Sequence, residues 1–539
     1  MKLRATTLRA FTAVHSWTGL VAGLALFVAF YAGAITMFHH ELPVWQSSAV
    51  DTAPETIADG QRLLDGVLAR HEGARVHLGL GFPGAESAQA SAWWLDGEGV
   101  WQFATLDNLA GSATPPTSSL AELVNLLHYS LGIPMVGTWL MGVVSLLYGL
   151  ALTTGVVIHL PRLAKDLFAL RPGRNLKRFW QDAHNVIGVL SLPAHVMFAV
   201  TGALLCLLFV LMPLLNPLVY DGKLMAAVPA AMDTAPVVAA SGETAAMQSL
   251  AQWHARSVAV AREHGIDDFE PVYLKLQHGG DANALVEVTG ETSRALGALG
   301  SVALDANSGE VLAIQLQGAR DANHATLQAT YALHFGEFGN HLVQWLYFLL
   351  GLAGAFLFYS GNLLWIESRR RKRALRQGRA QVNMARATVG VCIGVCVAIS
   401  ASFVAAQLAP VLALDSASTE RWACFGTWAL CGIWAASRPP SRGVRELLWM
   451  AALVTLAIPV AHGIATGWPL WKAAADGHWV LVTVDAMALA LGAGFAALAR
   501  ASTRRARDGD PHSVWADPPP DTVDSVRAGP ATRVGRTRG

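Results

Sequence analysis

The chain has 539 residues and a formal net charge of +1; 53% of its residues are hydrophobic and only 14% are charged. A chain of this length and composition cannot form one soluble core, so the composition predicts an integral membrane protein and excludes an ordinary soluble enzyme. The basic residues cluster in loops, where membrane topology explains them, so no nucleic-acid partner is expected.

Apolar segments long enough to cross a hydrocarbon layer of about 30 Å recur along the chain. They span residues 11–38, 134–160, 184–213, 341–366, 387–411, 421–437, 445–467 and 478–499. Every second loop between them is basic, which predicts a multi-pass membrane protein, surrounded by lipid, with both termini cytoplasmic. The first segment is too long for a signal peptide and lacks a small-residue cleavage site, so we expect an uncleaved anchor.

Two inserts of ordinary soluble character lie on the non-cytoplasmic side. Alternating apolar residues predict strands at 76–80, 91–95 and 100–103 in the first insert, and strands at 272–276 and 284–288 in the second, followed by a hairpin over 301–312 around an Asn-Ser-Gly turn. The predicted fold class is therefore mainly α, a polytopic membrane protein with about eight transmembrane (TM) helices and two small periplasmic α+β inserts. A helix, an insert and a helix occur twice in tandem, and both copies enter from the cytoplasm, so a pseudo-two-fold axis along the membrane normal is expected.

Domain boundaries follow from these segments. They are TM1 (1–45), a first insert (46–125), TM2 (126–160), a basic cytoplasmic loop (161–183), TM3 (184–215), a second insert (216–327), TM4 (328–367), a second basic loop (368–386), accessory TM5–TM8 (387–500) and a disordered cytoplasmic tail (501–539).

Four histidines recur at matched positions in the two repeats. His15 and His184 each open an apolar run, whereas His128 and His334 each precede one. A glycine follows His15 and His184 at the same interval, at Gly33 and Gly202. A glycine likewise follows His128 and His334 at a shared interval, at Gly155 and Gly361. Ionisable groups are costly in a bilayer and tend to be functional there, so we interpret the histidines as ligands, most simply of haem.

Topology sorts these histidines into an inner pair, His15 with His184, and an outer pair, His128 with His334. Small residues beside axial imidazoles let a flat macrocycle approach the backbone, although the same glycines could serve only helix packing. His195 lies on the helix face of His184, deeper in the membrane, and is either a ligand or close neighbour of haem or a histidine bonded to a backbone carbonyl or water.

Other polar groups have weaker patterns. His39, His40 and His341 are possible substitutes in the outer pair, and Asp485 is either a proton-relay group or a hydrogen-bonded structural residue. Carboxylates are almost absent from the first four helices, which disfavours metal transport through them. No dinucleotide-binding or phosphate-binding motif is present. If the histidines hold a haem that transfers electrons, those electrons must therefore come from another protein or from quinol.

The residues from 1 to about 370 resemble the PepSY-associated transmembrane family. The resemblance rests on His15 to Gly33, Leu127-His128, Asp182-Ala183-His184 with Pro193 and Thr201-Gly202, Leu333-His334, and the hairpin from Leu304-Asp305 to Val311. Some members resemble inner-membrane ferric-siderophore reductases, which implies one or two haem b groups, no protein catalytic residue, and a periplasmic PepSY surface that docks the acceptor.

The histidine pattern together with the resemblance thus implies an oxidoreductase for iron uptake in the bacterial inner membrane. Electrons would come from a cytoplasmic reductase or quinol and reach a periplasmic ferric siderophore, and His15, His184, His128, His334 and His195 would hold the haem. A non-enzymatic PepSY scaffold or protease regulator is the competing interpretation, and a transporter through TM5–TM8 is a third.

Overall fold

A computed structural model describes residues 4–48, 55–84, 89–113, 119–160, 176–224, 233–292, 296–297, 299–370 and 377–517. The first repeat contains α1 (Ala5–Thr36), α2 (Glu41–Ser47), α3 (Ile57–Arg70), α4 (Glu72–Val76), β1 (His77–Gly81), β2 (Ser91–Leu95), β3 (Trp101–Thr105), β4 (Asn108–Ser112), α5 (Ser119–Ser130) and α6 (Val136–His159). The second contains α7 (Leu176–Leu190), α8 (Leu192–Val219), α9 (Leu250–Glu263), β5 (Glu270–Gln277), β6 (Leu285–Glu291), β7 (Leu299–Asp305), β8 (Val311–Gln315), α10 (Ala322–Phe335) and α11 (His341–Ser368).

The long helices of the two repeats form one bundle. Helix α1 packs against both α6 and α11, while α8 packs on α6 and α7 packs on α11. Close packing of α1 on α11 depends on glycine, because a Cβ on Gly354 would lie 2.2 Å from a ring carbon of Phe30. The mainly α, polytopic fold with tandem repeats is therefore confirmed.

The third predicted span is not one straight helix. Residues Lys177–Leu190 and Leu192–Leu208 meet at an angle of 71°. Pro193 lies in the first turn of α8, where its missing N–H costs nothing, but it could not continue α7 without losing a backbone hydrogen bond. The prediction that His184 and His195 share one helix face is therefore wrong, because the break separates them.

The two inserts form a single sheet rather than two. Its eight strands are all antiparallel in the order β4-β3-β2-β1-β5-β6-β7-β8, and β1 pairs with β5 across the middle. Helices α3 and α9 cover one face, where Leu78 and Leu80 of β1 are fully buried. Since side chains alternate across a strand, Gly79 and its cross-strand partner Trp93 lie on the opposite face. The sheet therefore spans the junction of the two repeats.

A third unit follows the repeats. It consists of α12 (Arg379–Thr388), a π-helical turn (Val389–Ile393), α13 (Gly394–Val411), α14 (Ser416–Ser437), α15 (Pro440–Thr466), α16 (Leu470–Ala475) and α17 (Trp479–Asp508). These accessory helices pack on one another and on α1, α2 and α5 of the first repeat, and α12 also packs on α11 of the second repeat.

The number of candidate spans differs from the predicted eight. Among the described residues, six helices are long and apolar enough to cross a membrane, and the bent pair of α7 and α8 could be a seventh span. Helix α14 has 22 residues, long enough to cross at about 1.5 Å per residue. It does not qualify by composition, because its first turns, from Ser416 to Arg421, are polar.

Part of the C-terminal tail is ordered, so the prediction of disorder from residue 501 is wrong for 501–517. Helix α17 continues to Asp508. The hydroxyl of Ser513 then donates to Glu367 Oε1 at 2.8 Å, and Arg445 forms an ion pair with Asp517 at 3.0 Å. Residues 518–539, the first part of the basic loop (161–175) and residues 371–376 of the second basic loop lie outside the described residues.

Candidate functional site

The four repeat histidines form two pairs, one near each end of the bundle. His15 of α1 and His184 of α7 lie close to the helix ends that carry the basic loops, and we call them the basic-end pair. His128 of α5 and His334 of α10 lie near the β-sheet, and we call them the sheet-end pair. All four side chains are half-buried. Each pair takes one histidine from each repeat, as the predicted pseudo-symmetry requires.

Each histidine is oriented by a hydrogen bond from Nδ1. His15 Nδ1 lies 2.8 Å from the carbonyl oxygen of Ala151, His128 Nδ1 lies 2.7 Å from that of Ala29, and His184 Nδ1 lies 3.1 Å from that of Leu357. A carbonyl can only accept, so Nδ1 donates and the lone pair of each neutral ring is on Nε2. The ring is thereby fixed in the tautomer that ligates a metal ion through Nε2.

His334 reaches the same tautomer by a different route. Its Nδ1 lies 2.9 Å from Thr201 Oγ1, and that hydroxyl donates its only proton to the carbonyl of Met197 at 2.8 Å. The hydroxyl must therefore accept from His334, which leaves the lone pair on Nε2. All four histidines thus have the same protonation pattern.

The spacing within each pair fits two imidazoles on one metal ion. The ring centres of His15 and His184 are 6.3 Å apart, and those of His128 and His334 are 6.0 Å apart. An imidazole nitrogen lies about 2 Å from its metal and about 1.1 Å from its own ring centre, so two rings on opposite sides of one ion have centres about 6 Å apart. Among the described residues, no three His, Cys, Asp or Glu side chains come together as a metal site.

The glycines that recur at matched positions in the two repeats lie next to the histidine rings. A Cβ on Gly33 would lie 2.6 Å from His128 Nδ1, and one on Gly155 would lie 3.1 Å from His15 Cε1. In the second repeat, Gly202 faces His334 and Gly361 faces His184, each at 3.4 Å. Each glycine therefore faces the imidazole of another helix in its own repeat, but only Gly33 and Gly155 leave too little space for a methyl group, since a Cβ at Gly202 or Gly361 would make an ordinary van der Waals contact. From the sequence, these glycines are interpreted as space for a flat macrocycle, but in the structure each one contacts a histidine ring.

Replacement of Gly33 with alanine is expected to lower the free energy of unfolding by about 1–3 kcal/mol, because the methyl group overlaps an imidazole held by its bond to Ala29. Gly19→Ala is the matched control on the same helix, because no atom lies within 4 Å of its added methyl group. Thermal unfolding of both purified variants in detergent measures the difference. Equal melting temperatures would contradict this account of the glycine.

An aromatic cluster occupies the membrane interior between the two pairs. Phe30 contacts Tyr148, His195, Phe198 and Phe358, with ring centres 5.2–5.9 Å apart. Phe198 in turn lies 6.2 Å from the ring of His334. Aromatic rings therefore lie between the two pairs, where Phe30, Tyr148 and Phe198 also line a cavity.

His195 belongs to this cluster and is not brought into either pair. Its side chain is buried, and Nδ1 lies 2.5 Å from the hydroxyl of Tyr148. Nε2 is buried without a hydrogen-bond partner among the described residues. The predicted carbonyl or water partner is replaced by a phenol, a partner that the sequence pattern gave no reason to choose.

A cavity of about 1150 Å³ connects the sheet-end pair to the face of the sheet that α3 and α9 leave uncovered. His128, His334, Gly33 and Gly202 line its membrane end. Trp93 of β2 and Tyr273 of β5 line its other end, with ring centres 6.2 Å apart. His39 and His40, predicted as substitutes for the outer pair, also line the cavity, and their own ring centres are 3.7 Å apart.

A buried polar network joins the accessory helices to the first repeat. Asp485 Oδ2 accepts from His462 Nδ1 at 2.8 Å, and Asp485 Oδ1 accepts from Trp45 Nε1 of α2 at 2.9 Å. Ser48 Oγ lies 3.0 Å from His462 Nε2, so both nitrogens of that ring have partners. These contacts support the structural interpretation of Asp485. His462 has no counterpart in the repeats, so periodicity could not mark it.

Similarity to known proteins covers the two repeats. A family model described as PepSY-associated TM region matches residues 12–368, which include both histidine pairs. The uncharacterized protein PA4219 of Pseudomonas aeruginosa is 28% identical over 357 residues, which cover 63% of this chain and 86% of that relative. The accessory helices lie beyond the family match.

Proposed function

Since the chain belongs to the PepSY-associated transmembrane family, we propose that it is a haem b oxidoreductase of the bacterial cytoplasmic membrane. It passes electrons from a cytoplasmic reductase or quinol to a periplasmic acceptor, ferric iron held in a siderophore. The basic loops support an orientation in which the basic-end pair is on the cytoplasmic side and the sheet is periplasmic. The proposal makes the chain a ferric reductase for iron uptake.

The observation that carries the proposal is the duplicated histidine pair. A six-coordinate haem needs two neutral imidazoles on opposite faces, each oriented by a second hydrogen bond. In His15 with His184, and in His128 with His334, the ring centres are 6.3 Å and 6.0 Å apart, a spacing that would suit two imidazoles on one iron ion, and each Nδ1 donates to an oxygen. The residues present therefore fit two haem groups, one for each pair.

The chain's own residues define a path between the two sides. Ala29, whose carbonyl orients His128, lies about 21 Å further along α1 than His15, at a rise of about 1.5 Å per residue. Phe30 lies in this interval together with its aromatic neighbours and His195. When bound, haem supplies one-electron chemistry, and reduction to Fe(II) weakens the hold of hard oxygen donors on siderophore iron.

The test is a pyridine haemochrome assay on the purified full-length chain, together with a reduced-minus-oxidised spectrum. We expect two haem b groups per chain, with a Soret band typical of bis-histidine ligation. The acceptor is tested with inverted membrane vesicles that contain a ferric hydroxamate and a trapping agent for Fe(II). A preparation without a Soret band would overturn the proposal and favour the scaffold interpretation.

A further inference from the structure

A second cavity, of about 600 Å³, lies on the accessory helices. We call it the accessory groove: one wall is formed by α12 and the π-helical turn, and the other by α14. Asn383, Ala429 and Ala436 line the groove and are exposed, so it opens on the outer surface of the bundle. The outer surface of a membrane-spanning bundle faces lipid, so the groove is accessible to molecules of the bilayer.

Small residues give the groove its depth. A Cβ on Gly390, in the π-helical turn, would lie 3.2 Å from the Cα of Gly432, so the two backbones are close, whereas a Cβ on Gly432 would have no atom within 4 Å. Phe425 and Trp428 add aromatic rings to the lining, and Trp428 Nε1 already donates to the carbonyl of Val391 at 3.2 Å. The interior of the groove is therefore apolar, and its indole donor is engaged.

Arg386 is the one charged side chain among the described residues that line the groove. Its Nε donates to the carbonyl of Arg438 at 3.0 Å, and in the described part of the chain it forms no ion pair. The carboxylate that approaches Arg438 is already bound, since Glu446 lies 3.6 Å from Arg438 Nε and accepts from the indole of Trp434 at 2.7 Å. The groove wall that the structure describes thus carries one positive charge and neither a carboxylate nor an imidazole.

Arg386 lies near the start of its span, at the end of the bundle that carries the basic loops. The span, Arg379–Val411, has 33 residues, or about 50 Å at about 1.5 Å per residue, which exceeds the hydrocarbon thickness of about 30 Å. Its first turns therefore reach the level of the lipid headgroups. A guanidinium matches the geometry of a phosphate, and basic pockets between transmembrane helices bind anionic headgroups.

We propose that the accessory groove binds an anionic phospholipid, with one acyl chain against Gly390 and Gly432 and the phosphate at Arg386. An isoprenoid quinol is the weaker candidate, because its oxidation releases protons and none of the described lining residues is a carboxylate or imidazole that could accept them. The inference is independent of the proposed function, since it concerns helices beyond the histidine pairs and needs no redox step.

Native mass spectrometry of the full-length protein, released from detergent micelles and titrated with single lipids, tests the inference. Phosphatidylglycerol and phosphatidylcholine with identical oleoyl chains are compared, because the first is anionic and the second is zwitterionic. We expect the first molecule of phosphatidylglycerol to bind about fivefold more tightly, the contribution typical of one basic side chain at a membrane surface.

Two substitutions test the two parts of the site separately. Arg386→Gln should abolish the preference for phosphatidylglycerol, and Arg442→Gln is its control, because Arg442 is exposed at the same end of the bundle but does not line the groove. Gly432→Leu should weaken both lipids several-fold by occupying the space of the acyl chain. Gly426→Leu is its matched control on α14, because a Cβ there also has no atom within 4 Å and Gly426 does not line the groove.

A single saturable site for phosphatidylglycerol that only the two groove variants weaken would support the inference. Equal affinity for both lipids in the unaltered chain would overturn it, as would a loss in the control variants as large as in Arg386→Gln and Gly432→Leu. Binding of an isoprenoid quinone in place of phospholipid, abolished by Gly432→Leu, would also overturn it and assign the groove to the quinone.

Discussion

If each pair holds one haem independently, as proposed, replacement of His184 with alanine is expected to remove about half of the haem bound per chain, and replacement of His334 the other half. His15→Ala should match His184→Ala, and the double variant of that pair should lose no more than either single variant. Residues that act as one unit are non-additive in this way, whereas variants in different pairs should add. Haem per chain by pyridine haemochrome, with protein by amino-acid analysis, gives the result.

His264→Ala is the control, because this exposed histidine follows α9 and bonds only within its own helix end. Its haem content should equal that of the unaltered chain. The ligand assignment fails if haem content is unchanged in all four pair variants. It also fails in its pairing if His15→Ala and His334→Ala prove non-additive.

Replacement of Asp485 with alanine is expected to cost about 3–5 kcal/mol, because it leaves His462 and the indole of Trp45 without their shared acceptor in a fully buried site. The effect should reach beyond the accessory helices, since Trp45 belongs to α2, which connects α1 to the first insert. Asp485→Asn keeps one acceptor oxygen and should cost less. Thermal unfolding of the detergent-solubilised chain, followed by tryptophan fluorescence, measures the loss.

Asp476→Ala provides the comparison for Asp485→Ala. This aspartate ends α16 on the surface, and the same change in composition there should shift the melting temperature little. If both substitutions lower the melting temperature equally, the buried network is not what joins the accessory helices to the first repeat.

The histidine pairs could be predicted because duplication makes a functional residue visible as a repeat. His15 and His184 occupy equivalent positions, as do His128 and His334, and topology alone sorts them by side. The hydrogen-bond partners could not be predicted in this way, since Ala151 and Leu357 act through backbone carbonyls that any residue carries. Thr201 is different, because its side-chain hydroxyl, rather than a backbone carbonyl, accepts the hydrogen bond from His334. It also directly precedes Gly202, one of the repeated glycines.

The sheet and the broken span required information that a linear pattern does not contain. Alternation in 76–80 and 272–276 indicates strands, but nothing in either strand specifies the other as its neighbour. Pro193 was visible, yet a proline within an apolar segment is compatible with a kinked helix as well as with a break. The angle of 71° is decided by packing against α6 and α11, which belong to different repeats.

The pairing of β1 with β5 makes half of this molecule incomplete in two respects. Expressed alone, residues of either repeat would present a bare strand edge, open to pairing with any extended chain. They would also hold only one member of each histidine pair, and a single imidazole does not complete an axial set. Two separately expressed halves should therefore regain cofactor only when they rejoin along that edge, which makes the duplicated unit, rather than the single repeat, the smallest working part.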